Sequence, residues 1–240
     1  MCPLLFQANK KGEIPLHLAA RYGHSKVVTV LIDCAKALPT DPESGVTEAK
    51  KMLRITTEEQ ATALHEAARH RRSHVVEILT KEDRPELSYS ANVHGETPLY
   101  IAASSWGQEQ EKVIDEILAN CISVLDYGGP NGRTALHAAS AVGDHVEVLL
   151  ECDASAAYIA ETEKKRTALH IAAIRGCIDA MKGIVSGCPA CCELVDNRGW
   201  NALHYAVASK RSIVFKECLR IPELAILETE EDDKGTRPSI

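Results

Sequence analysis

A seven-residue pattern recurs six times along the chain and constrains its fold more than any other feature. The copies are IPLHLAA at 14–20, TALHEAA at 62–68, TPLYIAA at 97–103, TALHAAS at 134–140, TALHIAA at 167–173 and NALHYAV at 201–207. The fourth residue of each copy is His17, His65, Tyr100, His137, His170 or His204. From the second copy onward, the copies are 33 to 37 residues apart, and the first interval is 48 residues. A period of this size predicts an array of small repeated units.

Each unit reads as two short helices joined by a tight turn. In the first helix, Leu16, Ala19 and Ala20 share one face at the i, i+3, i+4 spacing, and the alanines let a neighbouring helix approach closely. Thr or Pro just before the Leu suits a helix start. A glycine such as Gly23 suits the left-handed end of that helix.

The second helix carries an apolar face, which in the first copy holds Val27, Val28, Leu31 and Ile32. One unit cannot bury such a face alone, so consecutive units must stack. The period of about 33 residues and the T-P-L-H-x-A signature identify the pattern as the ankyrin repeat, and the resemblance extends from about residue 10 to 228. The sequence therefore predicts an all-α fold, an ankyrin-repeat solenoid of about six stacked helix-turn-helix repeats with short hairpin-like turns.

The motif spacing also predicts the repeat boundaries. We expect the tail of a preceding repeat at 1–9, repeat 1 at 10–37, an inserted loop at 38–57, repeat 2 at 58–90, repeat 3 at 91–127, repeat 4 at 128–160, repeat 5 at 161–194, repeat 6 at 195–229 and the truncated start of repeat 7 at 230–240. Within the insertion, residues 46–55 fit a short helix with Met52, Leu53 and Ile55 inward. Arg71 occupies the slot of Gly23, where a left-handed backbone would cost about 1 kcal/mol.

Composition narrows the classes of function. The chain has 27 Lys and Arg against 34 Asp and Glu, and its net charge of −7 argues against a nucleic-acid partner. The 9 cysteines are scattered, with no signal peptide ahead of them, which favours free thiols in a reducing compartment. No apolar run reaches the roughly 18 residues needed for a membrane span. We therefore expect a cytoplasmic chain.

Three segments narrow the resemblance further. They are ANVHGETPLYIAAS at 91–104, GGPNGRTALHAA at 128–139 and CCELVDNRGWNALHYAV at 191–207, and they resemble plant ankyrin-repeat proteins similar to accelerated-cell-death proteins. In that family a cytosolic array precedes a membrane-spanning PGG domain, and the resemblance implies a role in defence, cell-death or stress signalling. We expect this sequence to hold the array without the PGG domain. Attachment to the cytosolic face of the plasma membrane would then come through partners or a missing C-terminal domain.

Three patterns invite a metal interpretation, and each has a simpler structural one. The motif histidines lie on successive repeats, about one helix-packing distance of 8–10 Å apart, so they cannot share one ion. Buried imidazoles that hydrogen-bond to backbone between repeats are favoured instead. Cys188, Cys191 and Cys192 include one C-x-x-C pair, but a structural zinc site needs more ligands. His70 and His74 lie across the turn between two helices, which favours solvated side chains.

The sequence carries no enzyme motif. A Gly-rich phosphate loop, G-x-S-x-G and H-E-x-x-H are all missing from it. We therefore predict a non-enzymatic chain with no catalytic residues, no metal site and no cofactor.

The predicted function is protein–protein interaction. Resemblance to ankyrin arrays places the partner in a concave groove formed by the turn tips and the exposed ends of the first helices. The groove residues that this resemblance implies are Lys10, Glu13, Arg21, Tyr22, Arg69, His70, His94, Glu96, Ser104, Ser105, Asn131, Arg133, Lys164, Ile174, Arg175, Arg198, Trp200 and Ser209. Tyr22 and Trp200 are the expected anchors, because aromatic residues dominate interface hot spots.

An alternative is association through the ends of the array. Leu4, Leu5 and Phe6 would leave an uncapped apolar end, and exposed apolar patches mark association sites. The partner would then be a second copy of the chain or a full-length, membrane-bound ankyrin relative. Both hypotheses involve protein partners, and they differ in the surface that binds.

Overall fold

The computed structural model describes residues 3–40, 45–82, 90–120, 128–209 and 212–225. Within these ranges the ordered backbone is helical, and the β-structure is limited to an isolated antiparallel bridge between Ala160 and Thr167. None of the helices in these ranges is long and apolar enough to cross a membrane. The chain divides into two compact units, 1–102 with 107–126 and 103–106 with 127–240.

The first unit is built from pairs of antiparallel helices. Its helices are α1 (Pro15–Tyr22), α2 (Ser25–Lys36), α3 (Glu48–Arg54), α4 (Ala63–Arg69), α5 (Ser73–Glu82), α6 (Pro98–Ala103) and α7 (Gln108–Asn120), and a 3-10 helix covers Pro3–Leu5. Helix α1 packs against α2 and α4, and α5 packs against α2, α4 and α7. First helices therefore stack on first helices, and second helices stack on second helices.

The second unit repeats this arrangement. Its helices are α8 (Ala135–Val142), α9 (Val146–Cys152), α10 (Ala168–Arg175), α11 (Ile178–Gly187), α12 (Ala202–Ala208), α13 (Ser212–Cys218) and α14 (Pro222–Ala225), with 3-10 helices at Pro130–Gly132, Ala154–Tyr158 and Pro189–Glu193. Helix α10 packs between α8 and α12, and α11 packs against α9 and α13. The inner layer of this unit is thus α8, α10 and α12.

Small side chains and left-handed turns make this stacking feasible. Ala20 and Ala173, which follow the motif histidines, are both 0% exposed, so neighbouring helices meet almost at the backbone. Gly23 ends α1 with φ 76°, and its N–H bonds back to the last turn of the helix. At the matching position of the next repeat Arg71 has φ 60°, as the sequence predicts.

One inward-facing residue is predicted wrongly. Val28 and Ile32 of α2 are buried, but Val27 is 48% exposed and Leu31 is only partly buried. In α5 the slot of Val27 is filled by Val75, which is 1% exposed because α2 packs against α5. Periodicity predicts which side of a helix is apolar, whereas burial also requires a neighbouring element on that side.

The insertion is more ordered than an inserted loop. Helix α3 begins after Thr47, whose Oγ1 accepts the Lys50 N–H at 3.3 Å, and it packs against α2. Met52 and Leu53 are buried as predicted, while Ile55 is only partly buried. Residues 41–44 of the insertion lie outside the described ranges.

The repeat boundaries remain predictions. The expected start of a seventh repeat at 230–240 and the first two residues of the expected tail at 1–9 lie outside the described ranges.

Candidate functional site

The turns that precede the first helices lie side by side within each unit. In the first unit the Glu58 N–H donates to the Lys11 carbonyl at 3.0 Å, and the Val93 N–H donates to the Glu59 carbonyl at 2.9 Å. These bonds join the tips of three consecutive repeats by their backbones. The tip side chains are therefore held at fixed spacing along one edge of the unit.

The second unit has the same backbone ladder. The Thr162 N–H donates to the Asn131 carbonyl at 2.9 Å, and the Asn197 N–H donates to the Lys164 carbonyl at 3.0 Å. A Cβ placed on Gly132 would lie 2.7 Å from the Thr162 side chain, so the tips are in close contact. Asn131 and Lys164, both predicted groove residues, thus lie on the joined tips.

A polar side chain at the start of each turn shapes the tip. Asn92 Oδ1 accepts the backbone N–H groups of His94 and Glu96 at 2.9 and 3.0 Å. Asp196 Oδ1 accepts those of Arg198 and Trp200 at 2.8 and 2.9 Å. These turns fix the direction in which the predicted groove residues leave the backbone.

The motif histidines of the first unit join consecutive repeats. His65 Nδ1 accepts the Thr62 N–H at 3.1 Å, so Nε2 carries the proton and donates to the Glu96 carbonyl at 3.2 Å. His17 Nε2 donates likewise to the Ala61 carbonyl at 3.1 Å. Each imidazole therefore holds the turn of the following repeat against its own helix.

The second unit confirms this structural role. His137 Nε2 donates to the Arg166 carbonyl at 3.1 Å, and His170 Nε2 donates to the Trp200 carbonyl at 2.9 Å. Both rings are 1% exposed. The prediction of buried, hydrogen-bonded imidazoles between repeats is correct.

Burial keeps these imidazoles neutral. It lowers the pKa of His65 and of His137 to about 4, because the hydrogen bond to a carbonyl only partly offsets the loss of solvation. The pKa values of His17 and His170 are lowered for the same reason. A neutral ring with one donor and one acceptor is the form that the fold requires.

A groove of about 530 Å³ runs between the tips and the inner helices of the first unit. Its lining includes five predicted residues, Glu13, Arg21, Arg69, His70 and His94. They share the groove with Lys11, Thr57, Glu58, Glu59 and Glu66. Predicted residues of the first two repeats and of the turn tip of the third repeat thus lie together on one face.

Ion pairs cross this groove. Arg21 donates from Nε to Glu66 Oε2 at 2.7 Å and from a terminal nitrogen to Glu13, and both carboxylates are nearly buried. Hydrogen bonding to Glu66 raises the pKa of Arg21, and the hydrogen bond from Asn9 lowers that of Glu13. Glu13 is therefore buried within a network, although the sequence predicts it as a groove residue.

A second pair lies one repeat further along. Arg69 donates to Glu96 Oε2 at 3.1 Å, and both side chains remain partly exposed. His70 Nδ1 lies 3.0 Å from the Glu66 carbonyl. The arginines of this groove thus already have carboxylate partners on neighbouring turns and helices.

The second unit has an aromatic cluster on its turn and inner helix. The Arg198 guanidinium lies 4.1 Å from the centre of the Trp200 ring and donates to the Tyr205 hydroxyl at 2.7 Å. Tyr205 in turn donates to Asp196 Oδ2 at 2.7 Å, and burial together with this carboxylate raises its pKa to about 12. Trp200 packs edge-on against Tyr205 at 5.2 Å. The predicted pair Arg198 and Trp200 is therefore one stacked unit.

A buried carboxylate lies beneath the neighbouring tip. Glu161 is 0% exposed, accepts from Arg166 Nε at 2.5 Å, and lies 3.6 Å from Arg133 Nε. Burial would raise the pKa of Glu161, but Arg166 and Arg133 lower it overall. One carboxylate therefore faces two arginines on this tip.

The remaining predicted residues lie on turns or helix ends. Tyr22 is 61% exposed and stacks on His24 at 6.0 Å. Ser104 and Ser105 lie between α6 and α7, Ile174 and Arg175 end α10, and Ser209 follows α12. Lys10 is exposed. Their role in binding stays a prediction.

The cysteines do not gather other metal ligands. Cys188, Cys191 and Cys192 are buried free thiols. In the part of the chain that the structure describes, no group of three His, Cys, Asp or Glu side chains is placed to hold a metal ion. His74 is exposed, as predicted.

The sequence also matches models of known families. A single ankyrin-repeat model matches residues 11–42, and a model of three ankyrin-repeat copies matches residues 110–194 and 155–220. These matches span more than half of the chain. The chain belongs to the ankyrin-repeat family. No curated protein matches it in sequence.

Solved ankyrin domains share its fold. The human ASB11 ankyrin repeat domain has a TM-score of 0.68 at 17% identity, and the match covers 94% of this chain and 90% of that one. The ankyrin repeat domain of Bcl-3, a member of the IkappaB protein family, has a TM-score of 0.75 at 19% identity, with 95% and 93% covered. The predicted all-α ankyrin-repeat solenoid is therefore confirmed.

Sequence reasoning missed several residues of the ankyrin faces. Glu66, Glu161 and Tyr205 are buried partners of predicted residues, and Lys165 lies on a tip with φ 57°. Glu66 and Tyr205 follow the motif histidines directly, so the repeat register could have placed them on the inner helices. Glu161 was hidden because the turn of its repeat is one residue longer than the others.

Proposed function

We propose that this ankyrin array is a non-enzymatic adaptor that binds a partner protein through its concave faces. The groove of the first unit carries this proposal, because five predicted residues line it and all of them except Glu13 remain accessible. The helix stacking uses Leu, Ala and His side chains, which leaves the tip residues available for recognition. Ankyrin-repeat domains are protein-interaction modules, which supports the same function.

We also propose a role in plant defence or stress signalling. Its support is the resemblance of segments 91–104, 128–139 and 191–207 to the accelerated-cell-death-like ankyrin proteins. The chain would then work in the cytoplasm, or at the cytosolic face of the plasma membrane through a partner. Loss of the gene in a plant source, followed by a defence assay, tests this part of the proposal.

Site-specific photo-crosslinking tests the use of the groove. A photoreactive residue at His94 faces the groove, and one at Asp115 is exposed on the second helix α7. Partner crosslinks from position 94 and none from position 115 are expected in an extract of the source cells. The captured partner should then bind the purified chain, and Arg69→Glu should weaken that binding. Equal crosslinking from both positions would contradict the proposal.

The alternative function is association through the outer face of the first repeat. Leu4 is 67% exposed, Val27 48% and Val30 59%, so each of these apolar side chains is accessible for association. Leu5 is buried, so Leu4→Glu with Val27→Glu is a cleaner test than a change at Leu5. Light scattering over a concentration series would show association that this double variant abolishes. A concentration-independent monomer would remove the alternative.

A further inference from the structure

We propose that the concave face of the second unit binds an acidic segment of a partner protein. This inference rests on the proposed function and specifies the chemistry of the partner. We name this surface the basic face. It consists of Arg133, Lys164, Lys165, Arg166, Arg175 and Arg198, which occupy the turn tips and the end of α10.

The backbone ladder brings these residues together. The hydrogen bonds from Thr162 to Asn131 and from Asn197 to Lys164 join the tips of three consecutive repeats at 2.9 and 3.0 Å. The basic residues of neighbouring tips are therefore next to one another. A segment lying along the tips would meet them in succession.

The carboxylates of this region do not neutralise its surface. Glu161 is 0% exposed and Asp196 is 5% exposed. Both carboxylates therefore pair with the arginines from the buried side of the tips. Glu163 is an exposed carboxylate on the same tip. On the turn tips these three acids stand against five cations, Arg133, Lys164, Lys165, Arg166 and Arg198, and the excess positive charge faces solvent.

The side chains of two lysines of the basic face make no polar contact in the part of the chain that the structure describes. Lys164 and Lys165 are exposed, and neither side chain forms a hydrogen bond or ion pair within the described ranges. Lys165 also has φ 57°, a backbone conformation that disfavours any residue with a Cβ. Strain of this kind is retained where the side chain has a function.

The strained position is a glycine slot in most other repeats. Gly12, Gly95, Gly132 and Gly199 occupy it, with φ between 70° and 76°. Gln60 of the first unit occupies the same slot with φ 57°, and its side chain is uncharged. The fold would accept glycine at 165, so the lysine is explained by binding better than by stability.

Apolar groups accompany the charges. Trp200 is partly exposed beside Arg198, and Ile174 is partly exposed near the end of α10. A protein segment can match both features, with carboxylates for the cations and a large apolar side chain for Trp200. A bare polyanion would match only the cations, and the net charge of −7 disfavours nucleic acid.

The probe is a displayed library of random peptides about 16 residues long, selected on the whole chain. Enriched peptides should be rich in Asp and Glu and contain an aromatic or large aliphatic residue. For a purified enriched peptide, Lys164→Glu with Lys165→Glu should weaken binding by about tenfold or more, since each substitution turns attraction into repulsion. The milder Lys164→Gln with Lys165→Gly should weaken it by several-fold.

The second helices supply a matched control. Lys26 of α2 and Lys216 of α13 are exposed and lie away from the turn tips, so Lys26→Glu with Lys216→Glu makes the same change in net charge. This variant should change peptide affinity by less than about twofold. Circular dichroism melts would show that all the variants remain folded.

The outcomes separate this inference from the proposed function. Enriched peptides that are neutral or basic, or that lose affinity with the Lys26 and Lys216 variant, would overturn the acidic-segment inference and leave the adaptor function standing. Tighter binding of a single-stranded DNA 12-mer than of any peptide would also overturn it. A library that yields no binding peptide would count against both.

Discussion

The two units place charge differently on equivalent positions of their concave faces. In the first unit, the turn residues Glu13 and Glu96 carry negative charge, and the helix-end residues Arg21 and Arg69 carry positive charge. Arg21 pairs with Glu13, and Arg69 pairs with Glu96. The charges of this face are therefore largely satisfied within the unit.

In the second unit the same turn position holds Arg133, Arg166 or Trp200, and the helix-end position holds Ala141 or Ile174 instead of arginine. The arginines there share one buried carboxylate beneath the tip. The comparison shows that the repeat fixes where a side chain lies, while its partners decide whether the charge is neutralised or presented to solvent.

Acid should affect both units alike, because the motif histidines occupy the same position in each. The folded pKa values of His65 and His137 are about 4, below the unfolded value of about 6.5. Stability is therefore complete above pH 6.5 and falls as the pH drops toward 4. At pH 5 each histidine should cost about 2 kcal/mol, which urea unfolding at pH 7.5 and pH 5 would measure.

Two substitutions sharpen the pH test. His65→Gln removes one titrating ring and should flatten the pH dependence, whereas His74→Gln, at an exposed ring, should leave it unchanged. Hydrogen exchange at low pH would show where in the chain the structure is lost. A loss confined to one unit would show that the two units do not share this stabilisation by neutral histidines.

The carboxylates of the two faces should differ in their contribution to stability. Glu161→Gln leaves two arginines facing a neutral, fully buried amide and should cost about 3 kcal/mol. Glu96→Gln breaks a partly exposed pair with Arg69 and should cost at most about 1 kcal/mol. Chemical denaturation measures both, and equal losses would contradict the contrast between a buried and a solvated acid.

The smallest expected effect is a gain in stability at the strained tips. Lys165→Gly and Gln60→Gly each remove a side chain from a left-handed backbone position and should stabilise the fold by about 0.5–1 kcal/mol. Only Lys165→Gly should also weaken binding of an acidic peptide. Thermal melts and peptide titrations on the two variants would separate strain from function.

Much of the scaffold could be predicted from the sequence because it repeats. The six motif copies placed the inner helices, and the position of Arg71 predicted its left-handed backbone, observed at φ 60°. Met52 and Leu53 were predicted inward from periodicity alone. Burial of Val27 was predicted wrongly, since periodicity does not reveal whether a neighbouring helix covers a face.

The charge arrangement of the faces could not be predicted in the same way. Arg21 and Glu66 are 45 residues apart in sequence, and their pairing depends on the stacking of two repeats. Lys165 was not predicted, because it occupies a turn slot that glycine fills in four other repeats and the motif does not mark that slot for binding. On a solenoid, the partners of a side chain come from neighbouring repeats. The sequence of a single repeat therefore shows where a side chain lies but not what it pairs with.

The central claim is that the basic face of the second unit binds a partner's acidic segment, whichever other part of the partner lies in the groove of the first unit. Hydrogen–deuterium exchange of the whole chain, with and without a selected acidic peptide, tests this directly. The account predicts protection of residues 162–166 and 196–201, with no change at 57–61 and 92–96. Protection confined to the tips of the first unit would contradict it.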